Sequence, residues 1–343
     1  MFEFVPLPAQ PAGIAWPTTQ WPTGHLADDV DSDAVNESID RLMAQPPDLG
    51  LTLAVAVVHR GCLVAEAYGP DTDANTTLIS WSMAKSVTHA LVGILVADGA
   101  IDVSAPVAVP EWADDARAQI TLQHLLNMRD GLDFKEDYVD AGVSDVIEML
   151  FGAGVHDHAA YAAARQLVHE PGEVWNYSSG TTNIISRLVG DVVGGGRTGM
   201  ESFMRERLLD PIGMSSASPK FDDAGTFVGS SYLYATARDF ARFGYLYVRD
   251  GVWDGRRIVP AGWVDHARTW TATDPEDGVG YGAHWWLWAD QPGSFACQGY
   301  EGQYVVVCPQ KDLVVVRLGK SPSDLGDGVF QQLQTIVDAF PSG

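Results

Sequence analysis

Apolar residues fall along this chain in two rhythms. Residues 51–58 and 62–68 are short, β-branched-rich runs separated by His59, Arg60 and Gly61, which reads as a hairpin. Residues 303–307 and 313–318 flank Cys308 to Asp312 and read as a second hairpin. Between and around them the period changes to that of a helix. Val35, Ile39 and Met43 recur at helical spacing across 31–43, and Phe330, Leu333, Ile336, Val337 and Phe340 make a closing amphipathic helix over 329–340. Met83, Val87, Ala90, Leu91, Ile94 and Leu95 form a stripe over 82–97, ended by Gly99. Further helices are expected at 120–128, 181–189, 200–208 and 235–247.

Strand pairs near both ends with helices between them predict an α/β fold. One antiparallel sheet is built from N- and C-terminal strands and flanked by helices, with a mostly helical region inserted. The expected divisions are an arm over 1–30, a sheet domain from 31–80 and 225–343, and the helical insertion over 81–224. An active site is expected where the last two meet. No internal repeat, heptad run or low-complexity tract interrupts this plan.

Composition narrows the function classes. The chain has 45 acidic against 21 basic residues among 343, a formal charge of −24, while 46% of it is apolar. It can bury a large core, and its acidity reflects scarce Lys and Arg. Nothing would neutralise a run of phosphates, so nucleic acid is excluded as a general partner, and anionic membranes are disfavoured. No apolar stretch approaches the ~20 residues of a membrane span. Residues 1–22 lack a basic segment followed by a continuous apolar one, so no secretory signal is expected there. Cys62, Cys297 and Cys308 show no paired spacing, which suits a reducing interior. A cytoplasmic protein is the expectation, with a homodimer open as one form of assembly.

Three segments carry chemistry. Ser82 and Lys85, as Ser-Met-Ala-Lys, stand one turn apart on one face of a predicted helix. A first-turn serine lies in the positive end of the helix dipole, near free N–H groups, and a neutral Lys85 could accept its proton. Lysine is scarce, with five in the chain, and only Lys85 has a serine three residues before it. The plainer alternative, of equal weight for this motif alone, has Ser82 capping the helix and Lys85 solvated. Tyr177, in a polar turn running from Trp175 to Gly180, could project its phenol into a cleft, or simply pack. Residues 294–303 bring glycines to a strand entry, where backbone N–H groups could face an oxyanion.

In this order, over most of the chain, these segments resemble the serine β-lactamase and penicillin-binding-protein superfamily. The nearest branch is that of class C β-lactamase-like hydrolases, including family VIII carboxylesterases and 6-aminohexanoate-dimer hydrolases. Residues 79–93, 120–138, 174–180, 232–250 and 299–317 support the likeness together. The resemblance implies an acyl-enzyme on Ser82, Lys85 as its base and Tyr177 as the proton shuttle. It implies an oxyanion hole from the Ser82 N–H and one at Cys297 or Gln298, beside Gly299. No cofactor is implied.

Two departures favour ester or unactivated amide hydrolysis over β-lactams. Ser179 stands where the β-lactamase tyrosine motif ends in Asn, and residues 294–299 lack the Lys or His that helps hold a drug's carboxylate. The Tyr-Ser-Ser turn and the loop 131–138 (GLDFKEDY) resemble the aminohexanoate-hydrolase branch, which makes Tyr138 a second active-site hydroxyl. Asp133, Glu136 and Asp137 could greet a cationic substrate end, although a solvated acidic loop is the favoured reading. Trp285, Trp286 and Trp288 could wall an acyl-binding cleft, with core packing equally expected for at least two of them. The expectation is thus a serine hydrolase for a small ester or amide, of the 6-aminohexanoate-oligomer type or a short-chain ester. A β-lactamase or D-Ala-D-Ala peptidase is the first alternative, and a catalytically inactive binding protein the second. His156 and His158 flank Asp157 without a third ligand, so a polar loop is expected there and no metal site. There is no Gly-x-Ser-x-Gly elbow, phosphate loop or His-Glu-x-x-His.

Overall fold

The computed structural model of the chain describes residues 4–138, 144–288 and 290–342. Its centre is an eight-stranded, wholly antiparallel sheet. In spatial order the strands are Cys62–Tyr68, Leu51–His59, Leu313–Lys320, Gln303–Cys308, Phe295–Gly299, Trp286–Leu287, Gly280–Tyr281 and Ala272–Thr273. Both predicted hairpins are therefore neighbours, with Ala56 opposite Val316 and Val57 opposite Val315.

The valine runs explain why this sheet is covered on both faces. Alternate side chains point to opposite sides. Ala54, Ala56, Val58, Val305, Val307, Val314 and Val316 join one core, whereas Val55, Val57, Val306, Leu313 and Val315 join a second. Ser32–Met43 and Gly326–Asp338 cover that second face through Val35, Ile39, Leu42, Val329, Leu333 and Ile336. Ala237–Val248 lies across the first, where a Cβ at Gly244 would come within 2.7 Å of Val305 and Val314. Glycine there lets the helix backbone settle onto the sheet.

The regular elements between the two halves of the sheet are mostly helices. The helix Ala84–Ala97 is buried from Ala84 to Leu95, in agreement with its apolar stripe. A separate 3-10 turn, Trp81–Met83, precedes it where one continuous helix was expected from residue 82. The predicted helix 120–128 is shorter, Leu122–Leu126, because Thr121 caps it. The 181–189 helix extends to Ser179–Val193, capped by Ser178. The 200–208 segment is Gly196–Met204 followed by a π turn, Arg205–Leu209. Leu78–Ile79 pairs with Leu233–Ala235 in a small second sheet and feeds the 3-10 turn. In the N-terminal arm, Trp16 and Trp21 pack edge-on against Tyr245. Among the described residues no helix is long and apolar enough to cross a membrane.

Candidate active site

The turn that carries Ser82 is held in an unusual backbone conformation. Trp81 has a φ of +42°, a region that costs a bulky residue about 1–3 kcal/mol and persists only where the surroundings enforce it. Ser80 does so from below, its N–H donating to Leu233 O at 2.8 Å and its hydroxyl accepting from the Leu233 N–H at 3.1 Å. Ser82 therefore begins a new turn with its hydroxyl at a cleft and its N–H outside any helical bond.

Lys85 follows one turn later and is 1% exposed. Its Nζ lies 2.9 Å from Ser82 Oγ, 2.9 Å from Ser179 Oγ and 3.1 Å from Ser230 O. Burial pulls its pKa down to about 8, against an opposing pull from the Glu136 carboxylate. The three partners are not equivalent. Ser230 O is a carbonyl and can only accept, and the Ser179 hydroxyl is already donating to Glu136 Oε1 at 2.5 Å. Only Ser82 is left with a proton to give. A neutral Lys85 keeps its own two N–H bonds on Ser179 and Ser230 and points its lone pair at Ser82.

Glu136 departs from the solvated loop expected of it. It turns inward to the first residue of the Ser179–Val193 helix, accepting from the Ser179 N–H at 2.8 Å as well as from the hydroxyl. A carboxylate at a helix N-terminus is favourably placed. Tyr138 Oη donates to the same carboxylate at 2.7 Å. Further ties hold this loop against the turn at 176–181. The Thr181 hydroxyl donates to the buried Asp130, and Asn176 Nδ2 donates to Phe134 O at 3.0 Å. Burial raises the pKa of Asp130 to about 6. Asp133 is exposed.

Tyr177 stands beside this network within an aromatic cluster. Lys85 Nζ is 4.8 Å from the centre of its ring, and its neighbours are Trp286 at 5.3 Å and Tyr281 at 6.0 Å between ring centres. Burial, then the Glu136 charge, push its phenol well above the ordinary value, while contacts with Ser82 and the Trp286 indole oppose this. The phenol therefore stays protonated at neutral pH.

These side chains open on a cleft of about 240 Å³ lined by Ser82, Tyr138, Tyr177, Trp286, Gln298 and Gly299. The hairpin tip, Tyr300 to Gly302, closes one side. Cys297 does not line the cleft; it is 1% exposed and belongs to the core, where burial raises its thiol. Gly299 is required by close approach, since a Cβ would come within 2.4 Å of Ser80 O. Just beyond it, the Tyr300 N–H meets no acceptor among the described residues. The three tryptophans separate by position. Trp286 lines the cleft, Trp285 packs into the core on Tyr247 and Phe295, and Trp288 stacks on Phe330 on the opposite face.

In the polar segment around His156, His156 pairs with exposed Asp223, and buried His158 pairs with Asp222. Among the described residues no group of three or more His, Cys, Asp or Glu is placed to hold a metal ion. Sequence reasoning missed Ser230, whose contribution is a backbone oxygen, and the inward turn of Glu136. It also missed Tyr300 and Glu301, whose positions depend on where the strand ends.

The family model described as beta-lactamase matches residues 39–333. A 6-aminohexanoate-dimer hydrolase from Paenarthrobacter ureafaciens is 26% identical over 342 aligned positions, covering 88% of this chain and 84% of that protein. A Bacillus anthracis protein provisionally described as a 6-aminohexanoate-dimer hydrolase superposes with a TM-score of 0.76 at 22% identity, over 93% of this chain and 87% of its own. A family VIII carboxylesterase superposes at 0.66 with 16% identity, over 90% and 99%.

Proposed function

The chain belongs to the beta-lactamase family of serine hydrolases, and we propose that it hydrolyses a small neutral ester or amine-ended amide through an acyl-enzyme on Ser82. The observation that carries this reading is the contact of Lys85 Nζ with Ser82 Oγ at 2.9 Å, where every other partner of Lys85 is spent as an acceptor.

The reaction follows from that arrangement. Neutral Lys85 takes the Ser82 proton as Oγ bonds to the substrate's carbonyl carbon. The negative charge that develops on the carbonyl oxygen is met by backbone N–H groups. One is that of Ser82. The second comes from the strand end at 297–300; Gln298 lines the cleft, and the Tyr300 N–H, which meets no acceptor among the described residues, supports that residue as the donor. The intermediate collapses by breaking the bond to the leaving oxygen or nitrogen, which takes its proton from the Tyr177 phenol. The Lys85 ammonium returns a proton to Tyr177. Water then attacks the Ser82 ester by the same route in reverse, its proton passing through the pair and Ser82 regaining its own.

The cleft's charge supports the substrate class. Among the described residues that line it, Glu301 is the one that carries a carboxylate or basic group, so a substrate carboxylate would meet no cation among them. Trp286, Tyr300 and Tyr304 offer apolar walls to an acyl chain. Turnover of p-nitrophenyl butyrate, a 6-aminohexanoate dimer and nitrocefin by the wild type and Ser82→Ala tests the reading. Ester or dimer hydrolysis that vanishes in the variant supports it. Nitrocefin as the best substrate favours a β-lactamase instead, and unchanged hydrolysis in Ser82→Ala removes the acyl-enzyme.

A further inference from the structure

Two residues that no catalytic step uses join the halves of the proposed oxyanion hole. Trp81, immediately before Ser82, donates from its indole Nε1 to Glu301 Oε2 at 3.1 Å. Glu301 immediately follows Tyr300. Both partners sit in the left-handed backbone region, Trp81 at φ +42° and Glu301 at φ +62°. Two such non-glycine residues facing one another at a reactive centre imply surroundings that hold both in place.

The contacts around the pair supply that hold. The Trp81 ring meets Tyr300 edge to face, at 5.8 Å and 86°, and Tyr300 stacks on Tyr138 at 4.7 Å. On its far side the hairpin tip is gripped through its carbonyls. Arg317 donates to Glu301 O at 3.1 Å and Gly302 O at 2.8 Å, the Ser321 N–H donates to Glu301 O at 3.0 Å, and Gln303 donates to Tyr300 O at 3.0 Å. Arg317 is fully buried and also bonds Leu51 O, Thr52 Oγ1 and Ser321 Oγ, none of them a carboxylate. The tip is thus anchored to the sheet from behind. Among the described residues, the Trp81 to Glu301 bond and the ring contacts tie it forward to the nucleophile's turn.

We propose that Trp81 and Glu301 are positioning residues that set the separation of the Ser82 and Tyr300 N–H groups, so that the transition-state oxyanion, more than the bound substrate, depends on their hydrogen bond. This rests on the serine-hydrolase reading above. Losing an interaction that acts on the oxyanion alone lowers kcat while leaving KM nearly fixed.

The test compares Trp81→Phe, which removes the donor and keeps a ring, with Glu301→Ala, Glu301→Gln and the double variant Trp81→Phe/Glu301→Ala. Readouts are p-nitrophenyl butyrate hydrolysis and inhibition by phenylboronic acid, which forms a tetrahedral adduct with an active serine. Trp81→Phe and Glu301→Ala are expected to lower kcat about 10- to 100-fold, and to weaken the boronate by a similar factor with KM within about threefold. Glu301→Gln, which keeps an acceptor oxygen, should recover most of the loss, and the double variant should be no worse than either single one. Losses that add in the double variant, a Glu301→Gln as impaired as Glu301→Ala, or a change confined to KM would overturn the proposal. Ser82→Ala in the same assay separates the two ideas. If it stays active, the acyl-enzyme itself is wrong; if it is dead while Trp81→Phe is unimpaired, only the coupling is.

Discussion

Glu136 reaches Lys85 through a single hydroxyl, that of Ser179, which accepts from Nζ at 2.9 Å and donates to Oε1 at 2.5 Å. The carboxylate thereby fixes which way the hydroxyl proton points, and its charge favours the ammonium form of Lys85 while burial favours the amine. Activity that needs the neutral amine must rise with pH. The logarithm of kcat/KM is expected to climb with a midpoint near the lysine's value of about 8 and level off above it. In Glu136→Gln the ammonium loses a favourable charge, so the midpoint should move to lower pH. A midpoint that stays or rises would show that Glu136 does not act on Lys85.

Tyr177 tests the division of labour. In the mechanism proposed above, its phenol, held protonated, protonates the leaving group. Tyr177→Phe should lose about 100- to 10,000-fold in kcat on an alkyl ester or amide. The loss should be smaller on a p-nitrophenyl ester, whose leaving group departs without a proton. Equal losses on both would assign Tyr177 to another step.

The adjacent tryptophans separate stability from binding. Trp285 is fully buried, with its ring 4.4 Å from Tyr247 and 5.0 Å from Phe295. Its replacement by alanine should destabilise the protein by about 3–5 kcal/mol, measured by urea unfolding. Trp286 walls the cleft beside Tyr177, and its replacement should raise KM for longer acyl chains with a much smaller stability cost. Similar unfolding midpoints for the two variants would contradict this division.

How much of this was legible before the fold follows from where each feature gets its information. The valine runs at 51–58, 303–307 and 313–318 alternate between two cores, so local period alone announced the sheet. The terminal helices and the buried stripe after Ser82 were legible for the same reason. Ser82 and Lys85 are neighbours along one turn, and their contact is a local property. Glu136 was not legible in its role. Between Lys135 and Asp137 it looks like surface, and only the arrival of the Ser179 helix N-terminus turns it inward. The 3-10 turn at Trp81 depends on Leu233, more than 150 residues away, taking the Ser80 N–H. The strands Ala272–Thr273, Gly280–Tyr281 and Trp286–Leu287 are two residues long, too short for alternation to register.

The central claim is that Ser82 carries the acyl group. Its most direct test is intact-protein mass spectrometry after a fluorophosphonate probe, followed by peptide mapping. The account predicts one adduct per chain, located on Ser82, absent in Ser82→Ala and formed faster as pH rises through about 8. An adduct on another residue, or a wild-type protein that hydrolyses ester while Ser82 stays unlabelled, would contradict it.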